Sequence, residues 1–143
     1  MSGSVRPAVS TTVVEALNGD ATLVAALGGQ RTWVNVPDKT RAPYLFVVGG
    51  RELPGERTFA NRGRRQVQVL VTAISAQRGT AQIDALLHRV IEVLTPEGSN
   101  GPAVDGGNAV WRLVENREPK QMEDVADGSL VWLGTAVFDV QVL

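Results

Sequence analysis

The chain has 143 residues, of which 43% are hydrophobic and 20% charged, and its formal net charge is -1. That length and composition fit one globular domain built on a single core and set aside global disorder. Near-neutrality argues against an autonomous nucleic-acid binder, and the lack of cysteine removes disulfides, thiolate zinc sites and thiol nucleophiles.

No stretch approaches the ~20 apolar residues of a membrane span. Met1 to Val9 carries one arginine and no apolar run, so a secretory signal is not expected and assembly in the cytoplasm is. No repeat of solenoid or propeller period is visible.

The first pattern is helical. Val9, Val13, Ala16 and Leu17 fall on one helix face, and Asn18-Gly19-Asp20 breaks it. Asp20 can then cap a second helix, Ala21 to Leu27, by accepting from a backbone N–H of its first turn, and Gly28-Gly29 ends it. Thr32 to Val36 reads as a short strand rich in β-branched residues. Pro37 to Pro43 is a polar connection. Tyr44 to Val48 is an uninterrupted apolar run, expected as a strand buried on both faces and closed by Gly49-Gly50.

Arg51 to Gly63 reads as a polar loop. Beyond it, Val67, Val69, Val71 and Ala73 alternate with Gln66, Gln68, Leu70 and Thr72, so period two turns the first set toward a core. Thr80 is the expected N-cap of a helix whose apolar stripe is Ile83, Leu86, Leu87, Val90, Val93 and Leu94, stopped by Thr95-Pro96. Glu97 to Asn108 is glycine-rich and is expected to be loop or extended hairpin. Ala109 to Val114 and Leu130 to Leu143 read as strands, with the polar stretch Asn116 to Ser129 between them.

The expected order is therefore α-α-β-β-β-α-β-β in a single domain spanning 1–143. Strands joined mostly without crossover helices predict an α+β fold, with a mixed, largely antiparallel sheet and helices packed on one face.

This order resembles the phage tail-terminator family, also described as tail-completion or tail-to-head joining proteins. Three segments carry the resemblance. One is Ala16-Leu17-Asn18-Gly19-Asp20 leading into Leu23-Val24-Ala25-Ala26-Leu27. Another is Val36-Pro37 followed by Ala42-Pro43-Tyr44-Leu45-Phe46-Val47. The last is Gln66 to Val71 joined through Ala76-Gln77-Arg78-Gly79-Thr80 to the helix Ile83 to Leu94. Together they cover roughly Val9 to Leu94.

The resemblance implies a virion protein at the tail–head junction that ends tail-tube polymerisation and offers a docking surface to the head. Its implied partners are further copies of itself in a homohexameric ring, the tail tube protein and a head-completion or connector protein, with DNA only passing through the channel. A cyclic ring needs head-to-tail subunit contacts that close. Another head–tail connector or neck protein is the nearest alternative. A small ligand-binding α+β domain would need a pocket with convergent polar groups.

No cofactor or catalytic constellation stands out, and an enzyme is not expected. His88 is the only histidine and reads as a helix-surface residue. Glu118, Glu123, Asp124 and Asp127 cluster without the spacing of a calcium loop and read as a solvated segment. The glycine pairs are not followed by Lys-Ser/Thr, and there is no Gly-x-Ser-x-Gly elbow.

The distinctive charge feature is Arg51, Arg57, Arg62, Arg64 and Arg65, offset only by Glu52 and Glu56, with Phe59 among them. The plain alternative is a soluble loop. A partner interface is the functional reading, because planar guanidinium groups pair with carboxylates on a neighbouring ring and an aromatic among arginines suits an interface anchor. The alternatives are Phe59 folded back onto the core and transient contact of the arginines with DNA in the channel, which ranks below the protein contact. Trp33, Trp111 and Trp132 lie in strand patterns and are expected in the core or at a subunit interface.

Overall fold

The computed structural model describes residues 6–54, 65–98, 101–104, 107–123 and 129–142. Three helices and six strands follow one another as α1 (Arg6–Asn18), α2 (Ala21–Leu27), β1 (Thr32–Trp33), β2 (Tyr44–Pro54), β3 (Arg65–Ser75), α3 (Ala81–Leu94), β4 (Ala109–Asn116), β5 (Lys120–Glu123) and β6 (Leu130–Val142). The fold is α+β, as expected.

Helix α1 starts earlier than Val9, and its apolar positions Val9, Val13 and Leu17 are buried. The Asp20 carboxylate accepts from the Leu23 N–H at 3.1 Å, capping α2. Gly28 closes α2 at φ 79, a left-handed conformation that glycine adopts without a Cβ clash. In α3, Ile83, Leu86, Leu87, Val90 and Leu94 are all buried. Thr80 holds the N-cap position without capping the backbone, and its hydroxyl instead donates to Asp84 at 3.1 Å.

The strands form one sheet in the order β1-β2-β3-β6-β4, with β5 also paired to β6. β1 runs parallel to β2, and every other pairing is antiparallel. β4 and β5 lie in succession along the same side of β6, bridged by the Arg117 N–H to the Thr135 carbonyl at 2.9 Å. Past the Ser75↔Trp132 pair, β3 has ended and β6 continues with β5 alone as a two-stranded ribbon.

The register fixes which side chains share a face. Val67↔Val140, Val69↔Phe138, Val71↔Ala136 and Ala73↔Gly134 line one side, joined there by Leu45 and Val47. These residues pack with the buried positions of all three helices in one hydrophobic core. Each fully buried aliphatic or aromatic side chain contributes about 1.5–3 kcal/mol, which makes this layer the dominant stabilising element. Gly134 lets α3 approach β6 closely, since a Cβ there would meet Ile83 Cγ2 at 2.4 Å and Leu87 Cδ1 at 3.0 Å.

Four expectations are corrected. Thr32 to Val36 is strand only at Thr32–Trp33, beyond which the chain bends. Tyr44 to Val48 is not buried on both faces: Leu45 and Val47 are buried, Tyr44 and Phe46 half-buried, and Val48 exposed. Gly49-Gly50 does not close this strand, which runs on to Pro54 through a register shift between Gly49 and Glu52. A Cβ at Gly50 would lie 2.9 Å from the Gln68 carbonyl oxygen, so glycine there serves close backbone approach inside the sheet. Finally, Asn116 to Ser129 contains the extra strand β5, whose four residues are all exposed.

Candidate functional site

The arginine-rich segment joins β2 to β3. Arg51 lies on β2, in the stretch where the register shifts, and Arg65 opens β3 opposite Pro54. The fold thus brings these two to the same end of the sheet, the end at which Arg65 also pairs with Val142. Arg57, Phe59, Arg62 and Arg64 lie outside the described residues. The acidic segment joins β5 to β6 at the opposite end, where Glu123 pairs with Leu130. Glu118 and Glu123 are exposed, and Asp124 and Asp127 lie outside the described residues.

Several of the remaining polar groups have local partners, whereas the buried Thr32 hydroxyl has none among the described residues. His88 is exposed on α3 with Nε2 3.4 Å from Glu92, one helical turn away. The buried Ser75 hydroxyl donates to Gln82 and accepts from the Gln77 N–H, closing the turn into α3. Thr72 and Thr135 share a hydroxyl hydrogen bond of 3.0 Å on the helix-free face of the sheet. Among the described residues no cluster of three or more histidine, aspartate or glutamate side chains could hold a metal ion. Among the same residues, no helix is long and apolar enough to cross a membrane.

The strongest electrostatic contact is structural. Arg89 of α3 donates to both Asp20 oxygens, at 3.0 and 2.7 Å, and so ties the cap of α2 to the last long helix. The Arg89 hydrogen bond holds the Asp20 carboxyl below its ordinary range, against the opposing effect of burial and with help from the Leu23 N–H. Asn18 performs a similar join between α1 and β1: its side-chain amide meets both the N–H and the carbonyl of Thr32 at 3.2 Å.

The tryptophans divide. Trp111 is buried in the core and its indole N–H donates to the Pro102 carbonyl at 2.9 Å. Trp33 and Trp132 are half-buried, with the Arg31 guanidinium 5.6 Å from the Trp33 ring centre.

The sheet edges were not singled out from sequence. β1 covers β2 only at Leu45 and Phe46, and among the described residues no strand pairs with the outer side of β4. Val48 near one edge and Val110 and Val114 on the other are 45%, 45% and 47% exposed. Strand alternation held the signal for Val110, which must face away from the buried Trp111 beside it. Which strands stand at the edges depends on pairing order, and that is not visible in a single sequence.

Among the described residues, one helical layer packs on one sheet and the second sheet face carries no helix. That arrangement is shared with a solved chain from the "Virion of native gene transfer agent (GTA) particle", at a TM-score of 0.72 and 20% identity, covering 99% of this chain and 98% of that one. No family model matches the sequence, and no curated protein matches it.

Proposed function

We propose that this chain is a non-enzymatic structural protein of a phage-like virion and, within it, the subunit that terminates the tail tube. In that role it binds the last ring of the tube protein, stops polymerisation and presents its other axial face to a head-completion or connector protein. Copies of the chain form a ring, for which a homohexamer is the expected state, and DNA passes through the central channel. The protein acts by shape and contact, with no turnover and no cofactor.

One observation carries the reading: nearly the whole chain shares its fold with nearly the whole of a chain from a gene transfer agent virion. The terminator role within such a particle is supported by the sequence resemblance over Val9 to Leu94. A ring is supported by the two sheet edges, on opposite sides of the molecule, where among the described residues β4 has no outer partner strand and β2 is covered by β1 only at Leu45 and Phe46.

Negative-stain electron microscopy of the purified protein at high concentration, with and without magnesium, tests this reading. It expects annular particles with a central hole of tail-tube size, and capping of purified tail tubes. A protein that forms no ring in either condition and leaves tube ends uncapped is not a tail terminator.

A further inference from the structure

We infer that neighbouring copies join edge to edge, the β4 side of one chain adding to the β2 side of the next, so that the sheet continues around the ring. This rests on the ring reading proposed above and specifies its contact. Three observations lead to it.

The first is direction. β2, β3, β6 and β4 are antiparallel neighbour to neighbour, so β2 and β4 run in opposite directions. Rotation about an axis along the strands preserves strand direction. It therefore sets β4 of one copy antiparallel to β2 of the next, and the alternation continues without a break. An odd number of such strands would place two parallel strands at every junction.

The second is the state of the edges. Natural sheets protect their edges with charge, proline or a covering element, because unpaired N–H and C=O groups recruit further strands. Here, among the described residues, β1 pairs only with Leu45 and Phe46. Although Arg51, Glu52 and Pro54 lie in the last part of β2, residues 47–49 carry neither charge nor proline. β4 has charged residues, but Arg112 is paired with Asp139 of β6 at 3.1 Å and Glu115 with Arg117 at 3.4 Å. The Arg112 and Glu115 side chains stay solvent-exposed, at 74% and 54%, so the charge on this edge is partnered locally without being withdrawn from it. Val110 and Val114 stand between these charges as its exposed apolar side chains.

The third is position. Val48 stands in the row Val48↔Leu70↔Val137↔Glu115, level with the Val114 region of the opposite edge. Edge joining brings exposed valines from two copies to one junction, where aliphatic cross-strand pairs are mutually stabilising. It also pairs backbone groups of β4 with the stretch of β2 beyond β1, so that less of each edge is left for other strands.

Because the chain has no cysteine, site-directed cross-linking reads this contact without background. Within one chain β2 and β4 are three strand spacings apart, about 14 Å. A disulfide needs Cα atoms about 4–7 Å apart, so none can form inside a subunit. The variants are Val48→Cys/Val114→Cys and Val48→Cys/Val110→Cys, oxidised as assembled rings and run under denaturing, non-reducing conditions. At least one should give a ladder that stops at the subunit number of the ring. Both positions are exposed, so each variant should fold, and circular dichroism confirms it.

A second arm uses charge. Val48→Lys and Val114→Glu should each fail to assemble alone yet assemble when mixed, because every junction in an alternating ring is then either unmodified or charge-paired. Rescue by mixing is not available to a misfolded protein. Wild-type rings that give no ladder from either cysteine pair, with charge variants that assemble unaided, overturn the edge contact and leave the ring standing. Dimers cross-linked by Val114→Cys alone show a two-fold β4–β4 contact and also overturn it. A wild-type protein that stays monomeric alone and on tubes overturns both.

Discussion

Asp20 serves two helices with one carboxylate. It accepts from the Leu23 N–H at the start of α2 and from Arg89 on α3, so its charge holds two elements in register. Its capping role was legible in the sequence, since the break Asn18-Gly19-Asp20 precedes an apolar run. The Arg89 contact was not, because 69 residues separate the partners and only the packing of α2 on α3 brings them together. The two roles can be separated. Asp20→Asn keeps an N-cap acceptor and removes the charge, whereas Asp20→Ala also loses the cap, at a further cost of about 1 kcal/mol. The folded-state carboxyl titrates below its unfolded value. Its contribution is therefore fully present above about pH 4, the ordinary aspartate range, and is lost as pH falls through the lower folded value. Urea unfolding should show wild type more stable than Asp20→Asn by a constant margin from pH 7 to pH 5, with the margin narrowing in stronger acid. A margin independent of pH down to full acid unfolding would mean that the pair contributes nothing through charge.

At the scale of elements, α3 and β3 were the most legible parts of the chain. Both bury one face against a core and expose the other, so the period of the apolar residues reports the structure directly. β5 was illegible for the opposite reason: Lys120-Gln121-Met122-Glu123 is exposed throughout and has no burial pattern to read, being held only by its ladder to β6. Gly49-Gly50 was misread because a glycine pair signals a stop equally well as a bulge. Gly134 shows the same limit from another side. In sequence it interrupts a strand pattern, and only the packing shows that α3 rests on it. Gly134→Ala should force Ile83 or the strand to move and destabilise the protein by about 1–3 kcal/mol, as overpacked core positions do. Denaturant unfolding measures this. A variant as stable as wild type would mean that α3 can shift on the sheet without loss, and that the close approach is not a constraint.

For the whole molecule, the sheet separates charge along its strands. Residues 51–65, from the last part of β2 to the first residue of β3, hold five arginines against two glutamates, and the segment joining β5 to β6 is acidic. The first meets β3 at Arg65, which pairs with Val142, and the second meets β6 at Leu130, so they lie toward opposite ends of β6, a length of roughly 40 Å. In the ring proposed above, with its axis along the strands, the attachment points of the arginine-rich segment and of the acidic segment fall toward opposite axial faces. Under the proposed function, charge of opposite sign toward the two axial faces would fix which way round the subunit docks and suppress the reverse. The arginines themselves were legible as a candidate interface from composition, but their place at one end of the sheet follows only from the β2–β3 pairing. The double variant Arg62→Ala/Arg64→Ala is expected to unfold within about 0.5 kcal/mol of wild type, as surface substitutions do. It should nevertheless cap purified tail tubes less tightly at low salt. Charge pairing across exposed rims is screened within about 10 Å at 0.1 M salt. Wild-type binding should therefore weaken as salt is raised, and the gap between the two proteins should close. A variant that caps tubes as well as wild type, with the same salt dependence, would show that the basic end faces away from the tube and would assign the tube contact to the acidic end.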